Sequence, residues 1–423
     1  MRIKKNNIFY GIDWSLILFY FILIFLGWIN IYAATITDNH LNLINFSTEY
    51  GKQLIWITLS FPIILLILMF DAKFYERYAS IIYLGSLILL IGLFIFGKNI
   101  NGATSWYNIG GFSLQPSEFA KAATALAIAK LVSDKQFNLK KWNTQIQASL
   151  ILFFPAVLIV LQPDPGSAIV YTAFLFVLYR EGLPIYYITG AFALVFLFII
   201  TLFFGYTHTL IGITLLFIIT LVYFYRKKIF KKGWVKLLSL YLISIFFIFS
   251  VDFVFNHVFE QRHRNRFNIL LGKTQDIKSI GYNTNQSVIT IASGGLTGKG
   301  FLEGERTQGD FVPEQQTDYI FTTVGEEWGF LGSVFVILIF IFFILRIIHI
   351  AERQKSKFSR VYGYSIASIF FTHFAINIGM VIGLLPTIGI PLPFFSYGGS
   401  ALWGFTVLLF IFIRLDANRS YEW

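Results

Sequence analysis

The sequence predicts an all-α polytopic membrane protein, on three observations. Of its 423 residues 56% are hydrophobic and only 13% charged, too little charge to coat a water-soluble fold. The apolar residues gather into runs of about 20, the length of helix that crosses a hydrocarbon core. Charged or Gly/Pro-rich punctuation separates the runs, and the basic clusters fall on alternate connections. Cysteine is absent, which excludes disulfides, thiol nucleophiles and thiolate metal sites. The net charge of +11 fits either a nucleic-acid surface or bases placed in cytoplasmic connections. A polytopic chain calls for the second, with no nucleic-acid partner.

Twelve runs read as spans: 14–34, 52–70, 78–97, 115–132, 148–161, 167–179, 186–204, 210–225, 237–255, 328–348, 362–385 and 401–413. The first follows Arg2, Lys4 and Lys5 in the manner of a signal peptide. It is too long for one and more spans come after it, so it is expected to be retained. Bases follow the fourth span (Lys135, Lys140, Lys141), the eighth (Arg226 to Lys236) and the tenth (Arg346, Arg353, Lys355, Lys357, Arg360), and Arg414 and Arg419 end the chain. With both termini inside, all of these clusters are cytoplasmic. Segments 101–112, 162–166, 256–317 and 386–400 then share the outer side. The longest, 256–317, is read as one long extracytoplasmic loop. Its bases, Arg262, Arg264, Arg266, Lys273, Lys278, Lys299 and Arg306, form either a solvated face or an electropositive surface for an anionic lipid phosphate.

Five stretches on or near that side carry chemistry. In QPSEFAK (115–121), Pro116 suits a first helical turn and Glu118 the positive end of the helix dipole. Glu118 and Lys121 are three apart and share a face, either as an ion pair locking helices together or as the wall of a cavity. In QPDPGS (162–167) the prolines and glycine break the helix, and Asp164 is either a cap for the next helix or part of a polar site. GGLTGKGFLEG (294–304) has the glycines of a phosphate loop and places Lys299 as a point charge. It is not a Walker A motif, because Ser293 and Gly300 stand at required positions. In FVPEQQTDYIF (311–321) Thr317 is placed to cap a helix with Asp318 in its first turn. Eight residues on, Glu326 would return to the face of Asp318, with Glu327 beside it. These acids suit a base and a metal-binding group, so a divalent cation, Mg or Mn, is the cofactor to consider. GLLPTIGIPLPFFSYGGS (383–400) cannot be a continuous helix and is tolerated at membrane depth where it lines a cavity. The six histidines show no metal-ligand spacing, and His373, inside a span, reads as a satisfied core residue.

Taken in order, NGATSWYNIGGFSLQPSEFAK, LQPDPGS, GYNTNQSVITIASGGLTGKGFLEG, FVPEQQTDYIFTTVGEEWGFLG and NIGMVIGLLPTIGIPLPFFSYGGS resemble the motif blocks of the SEDS family (shape, elongation, division and sporulation). The RodA branch is closer than the FtsW branch. The resemblance runs from Asn101 to Ser400 and implies a single membrane domain over 1–423, a helical bundle of about ten family spans. The two further spans read here then make an inserted hairpin at 206–236. It also implies a peptidoglycan glycosyltransferase of the bacterial cytoplasmic membrane, polymerising lipid II for cell elongation and rod shape. Undecaprenyl-linked glycan and a class B penicillin-binding protein are the implied partners. The family's essential aspartate falls on Asp318, in a turn shaped by Pro313 and Thr317. Glu118, Lys121, Asp164, Lys299, Arg306, Glu326, Glu327 and Ser396 are the implied binding or cavity residues. The chain departs from the family pattern at Thr104 and Ser105, where bases are usual, and at Gln315 and Gln316, where Arg-His is common. Two other readings compete: a lipid II flippase with Glu118 and Lys121 on its path, and a scaffold that activates a partner synthase.

Overall fold

The computed structural model describes residues 11–36, 45–100, 102–110, 112–226, 230–259, 261–271, 273 and 281–421. Arg2, Lys4, Lys5, Asn101, Gly111, Lys227, Lys228 and Lys278 lie outside these. The chain forms two compact units, one of 1–183 with 283–423 and one of 184–282.

The first unit begins with α1 (Trp14–Thr35), α2 (Glu49–Met69) and α3 (Ala72–Phe96). Three short antiparallel strands come next, β1 (Lys98–Ile100), β2 (Ala103–Ile109) and β3 (Phe112–Leu114), in the order β1-β2-β3. Then come α4 (Pro116–Ser133) and α5 (Trp142–Leu161). The next span is broken into α6 (Pro165–Ile169), a 3-10 turn and α7 (Phe174–Arg180). The second unit holds α8 (Tyr186–Phe204), α9 (Tyr206–Arg226), α10 (Phe230–Phe253) and α11 (Gln261–Leu270). The first unit is completed by α12 (Tyr282–Ser293), α13 (Glu305–Gln308) and α14 (Phe321–Thr323), which runs through a π-helical turn at Val324–Trp328 into α15 (Gly329–Glu352). Last are α16 (Lys357–Val381) and α17 (Gly399–Ala417).

Ten helices among the described residues are long and apolar enough to span a membrane. The other two predicted spans became α4, which carries Glu118, Lys121 and Lys130, and the fragmented α6–α7. The segment 256–317 carries helices of its own, α11, α12 and α13.

In the first unit α4 is central, with 14 of its 18 residues buried. Its run of alanines lets neighbouring backbones approach closely, the usual way of packing helices without a hydrophobic driving force. α16 and α17 pack against it.

The ends of this unit differ. At one end Asp13, the N-cap of α1, pairs with Arg346 at 2.6 Å and Arg353 at 3.1 Å. There Asp416 pairs with Arg353 at 2.6 Å and Arg419 at 2.9 Å. Arg360–Glu181, Arg414–Asp71 and Arg180–Glu352 also lie at the arginine end. The other end gathers the three strands and the irregular stretches 162–164, 294–320 and 382–398.

Candidate functional site

Asp318 lies at this second end, half-buried in a run of turns that reaches to Ile320. The helix predicted to begin at Thr317 begins at Phe321 instead. The Thr317 amide and hydroxyl both donate to the Glu314 carbonyl, at 3.2 and 3.1 Å, so Thr317 closes a turn and caps nothing. Asp318 is therefore no first-turn helix acid. Its placement comes from tertiary bonds.

Three of these are visible. The Asp318 carbonyl accepts the Asn377 side-chain amide at 2.8 Å. The carboxylate lies against Gly389, whose φ is +79°; a Cβ there would sit 3.3 Å from Asp318 Oδ2, so glycine serves both the backbone turn and the approach. The Tyr397 amide donates to the Gln316 carbonyl at 2.9 Å. Gly166 brings the third irregular stretch in, since a Cβ on it would lie 2.8 Å from the Ile388 carbonyl. Around these contacts Tyr319 and Thr387 share a hydroxyl hydrogen bond of 2.6 Å, with Thr284 at 3.1 Å from Thr387.

Two helices hold this backbone through polar pairs one turn apart. On α16, His373 Nδ1 meets the Pro391 carbonyl at 3.1 Å and Asn377 donates to Ile390 at 2.7 Å. On α2, Gln53 accepts the Gly398 amide at 3.1 Å, and Glu49, one turn before it, meets the Gln316 side chain rather than the backbone. None of these four was assigned to the site from sequence. The signal was present as polar residues four apart on one face of an apolar run.

Glu118 and Lys121 pair as predicted, with Lys121 Nζ 2.8 Å from both carboxylate oxygens. They are 2% and 0% exposed. Lys121 also contacts His373 Nε2 at 2.9 Å. The pair, with His373, braces α4 to α16 inside the first unit.

The glycine-rich loop turns its amides and carbonyls to the chain's own backbone. The π-helical turn widens the helix at Val324–Trp328 and frees carbonyls from the usual ladder. The Lys299 and Gly300 amides donate to Glu326 and Glu327, both at 3.0 Å, while Gly295 and Leu296 accept from Phe330 and Leu331. Such freed groups must be satisfied within the protein at membrane depth.

The same turn removes the predicted return of Glu326 to the face of Asp318. Glu326 accepts from the Arg306 amide at 3.0 Å, the Thr307 amide and hydroxyl at 2.7 Å, and Ser293 at 3.3 Å. It staples the loop. Glu327 is buried beside it. Lys299 is engaged by Glu305 at 3.3 Å and Glu326 at 3.4 Å, which compensates its charge. Arg306 differs. Its guanidinium is hydrogen-bonded to Thr290 at 3.0 Å and to Gln286, and lies 4.7 Å over Phe311. No carboxylate among the described residues pairs with it.

Asp164 is a cap: it accepts from the Ser167 amide at 3.0 Å and from the Ser167 hydroxyl and Gln115 at 2.8 and 3.0 Å. Ser396 accepts the Leu392 amide at 2.8 Å and closes a turn. Gln315, where the family pattern often has arginine, donates to Thr307 and Thr323 at 3.1 and 2.9 Å and ties the Asp318 turn to the loop. Among the described residues no three His, Asp or Glu side chains gather as a metal-ligand set.

A polytopic helical bundle with broken segments gathered around an acid defines an integral membrane protein with a candidate site at one end. The sequence profile of the cell cycle proteins FtsW, RodA and SpoVE matches residues 13–238 and 207–421, and the chain belongs to that family. It is 30% identical to peptidoglycan glycosyltransferase RodA of Treponema pallidum over 451 residues, 99% of this chain and 100% of that one. It is 33% identical to peptidoglycan glycosyltransferase MrdB of Escherichia coli K12 over 347 residues, 82% of this chain and 80% of that one. The fold is similar to a chain of a solved peptidoglycan synthase complex, with TM-score 0.68, 22% identity, and coverage of 97% and 99%. It is also similar to the rod shape determining protein RodA of Thermus thermophilus, with TM-score 0.62, 22% identity, and coverage of 96% and 97%.

Proposed function

We propose that this chain is a peptidoglycan glycosyltransferase of the RodA type that polymerises lipid II, with Asp318 as general base. The relatives named peptidoglycan glycosyltransferase, one of them matched along its whole length, support the activity. The observation that carries the site is Asp318 itself: a half-buried acid outside any helix, held through its backbone by Asn377 and set against Gly389. Its carboxylate takes the proton from the acceptor sugar hydroxyl. The hydroxyl oxygen bonds to the donor's anomeric carbon, and the bond to undecaprenyl pyrophosphate breaks with the electron pair leaving on the phosphate oxygen. A placed base of this kind contributes about 10²–10⁴-fold.

The departing pyrophosphate needs positive charge. Arg306 is the candidate, because its guanidinium is oriented by neutral partners while Lys299 is already paired. A divalent cation arriving on the phosphates would need only one or two protein carboxylates.

By the charge rule we read the arginine end as cytoplasmic and Asp318 as lying at the outer face of the bacterial cytoplasmic membrane. A class B penicillin-binding protein is the proposed partner. We read 206–236 as a hairpin inserted into the single family domain 1–423, supported by two profile matches that overlap across it. The test is lipid II polymerisation by the purified chain alone, wild type against Asp318→Asn. Polymer from the wild type and none from the variant is expected; equal polymer from both would remove Asp318 from the chemistry.

A further inference from the structure

We propose that His373 is a positioning residue for the glycosyl-transfer step, acting through Pro391 on the strap that abuts Asp318. The proposal rests on the reading of Asp318 as the base. Lysine has three donors and no acceptor, so the 2.9 Å contact makes His373 Nε2 the acceptor from Lys121. The ring proton then lies on Nδ1, which donates to the Pro391 carbonyl at 3.1 Å. Phe405 of α17 fixes the ring from a third side, at 4.8 Å and perpendicular to it.

The strap has few bonds of its own. Pro386, Pro391 and Pro393 have no N–H to give, and the carbonyls of Ile390 and Pro391 are bound by Asn377 and His373. Those two side chains are one helical turn apart, and Asn377 also binds the Asp318 carbonyl. One face of α16 therefore sets the strap and the Asp318 turn together. The Glu118–Lys121 pair fixes the histidine that sets the strap, giving that buried pair a role in register as well as in packing.

The test uses the full chain in nanodiscs with His373→Leu and His373→Gln. Lipid II polymerisation is measured across lipid II concentrations, and amide exchange is followed in 313–320 and 384–398. Misplacing a reacting group by about 1 Å can cost about 10²-fold. The leucine variant is expected to lose about ten- to a hundredfold in kcat with KM within about twofold, and to exchange faster in both segments. Glutamine, which offers both an acceptor and a donor, is expected to restore both. Wild-type kcat in the leucine variant, unchanged exchange in 384–398, or no rescue by glutamine would each overturn the proposal. If the leucine variant does not fold, His373→Asn decides, because its amide is too short to reach both Lys121 and the Pro391 carbonyl; the same pattern supports the proposal and full kcat overturns it. Activity surviving in Asp318→Asn would end the catalytic reading, and with it the proposal's step, while the exchange data would still report the strap.

Discussion

The two ends of the first unit both bury carboxylates, but they satisfy them differently. At the arginine end Asp416 is fully buried and held by Arg353, Arg419 and Gln354, and Asp13 by Arg346 and Arg353. Charge meets charge, and the N-terminus of α1, the C-terminus of α15 and the C-terminus of α17 are tied together. At the loop end amides and hydroxyls do most of the work: Asp164 accepts from Ser167 and Gln115, and Glu326 from Thr307, Ser293 and a backbone amide. Neutral donors shape the backbone there without neutralising Arg306. An end built to hold helices together uses ion pairs. The loop end keeps its shape mainly with neutral donors, beside the Lys121–Glu118 and Lys299–Glu326 pairs, and leaves the Arg306 guanidinium with no carboxylate partner among the described residues.

The strongest way to break this contrast is Asp416→Asn. Removing one partner of a buried pair costs about 3–5 kcal/mol; with Arg353 29% exposed, the lower figure, about 3 kcal/mol, is expected here. Denaturant titration in detergent would measure it, and activity per folded molecule should be unchanged. Glu326→Gln should cost less, about 2 kcal/mol, because charge-assisted bonds to Thr307 and Ser293 become neutral ones. Proteolysis should quicken within 294–308 while the arginine end stays intact. Arg306→Lys keeps the charge and loses the fork held by Thr290 and Gln286. It should raise KM for lipid II by about fivefold, one hydrogen bond's worth, with kcat little changed.

The smallest effect is that of pH. Burial pushes the Asp13 carboxyl up, but the Arg346 hydrogen bond and charge, with the Leu16 amide and Arg353, outweigh it and hold the group below its ordinary 3.8. A depressed carboxyl stabilises the fold above its unfolded value and loses that contribution as pH falls through the folded one. The thermal midpoint should stay flat down to about pH 5 and fall below about pH 4, and Asp13→Asn should reduce that fall.

The spans were legible because hydropathy alone selects them: 186–204 appears in the structure with the limits read from sequence. α3 begins at Ala72 and not at 78, since Lys73, Glu76 and Arg77 hide its first turns from any apolar count. The Glu118–Lys121 pair was legible from spacing within one helix. Periodicity misplaces Glu326 because it assumes an unbroken helix, and both the turns before Phe321 and the π-helical turn at Val324 break it. The glycine-rich loop resembles a phosphate loop because both need close backbone approach; which backbone it approaches is a tertiary fact. The spacing of His373 and Asn377 is visible in the sequence, but what they bind is not, for the same reason. Their partners are carbonyls 13 to 18 residues away along the chain, and a further one at Asp318.

The most direct test sets one acid from each end against the other: Asp318→Asn and Asp416→Asn, with lipid II polymerisation per folded molecule and thermal midpoint measured on the same purified samples. The account predicts that Asp318→Asn loses about 10²–10⁴-fold in rate with its midpoint unchanged, while Asp416→Asn lowers the midpoint and keeps its rate. Wild-type polymerisation by Asp318→Asn, or a loss of rate that only tracks unfolding, would contradict it.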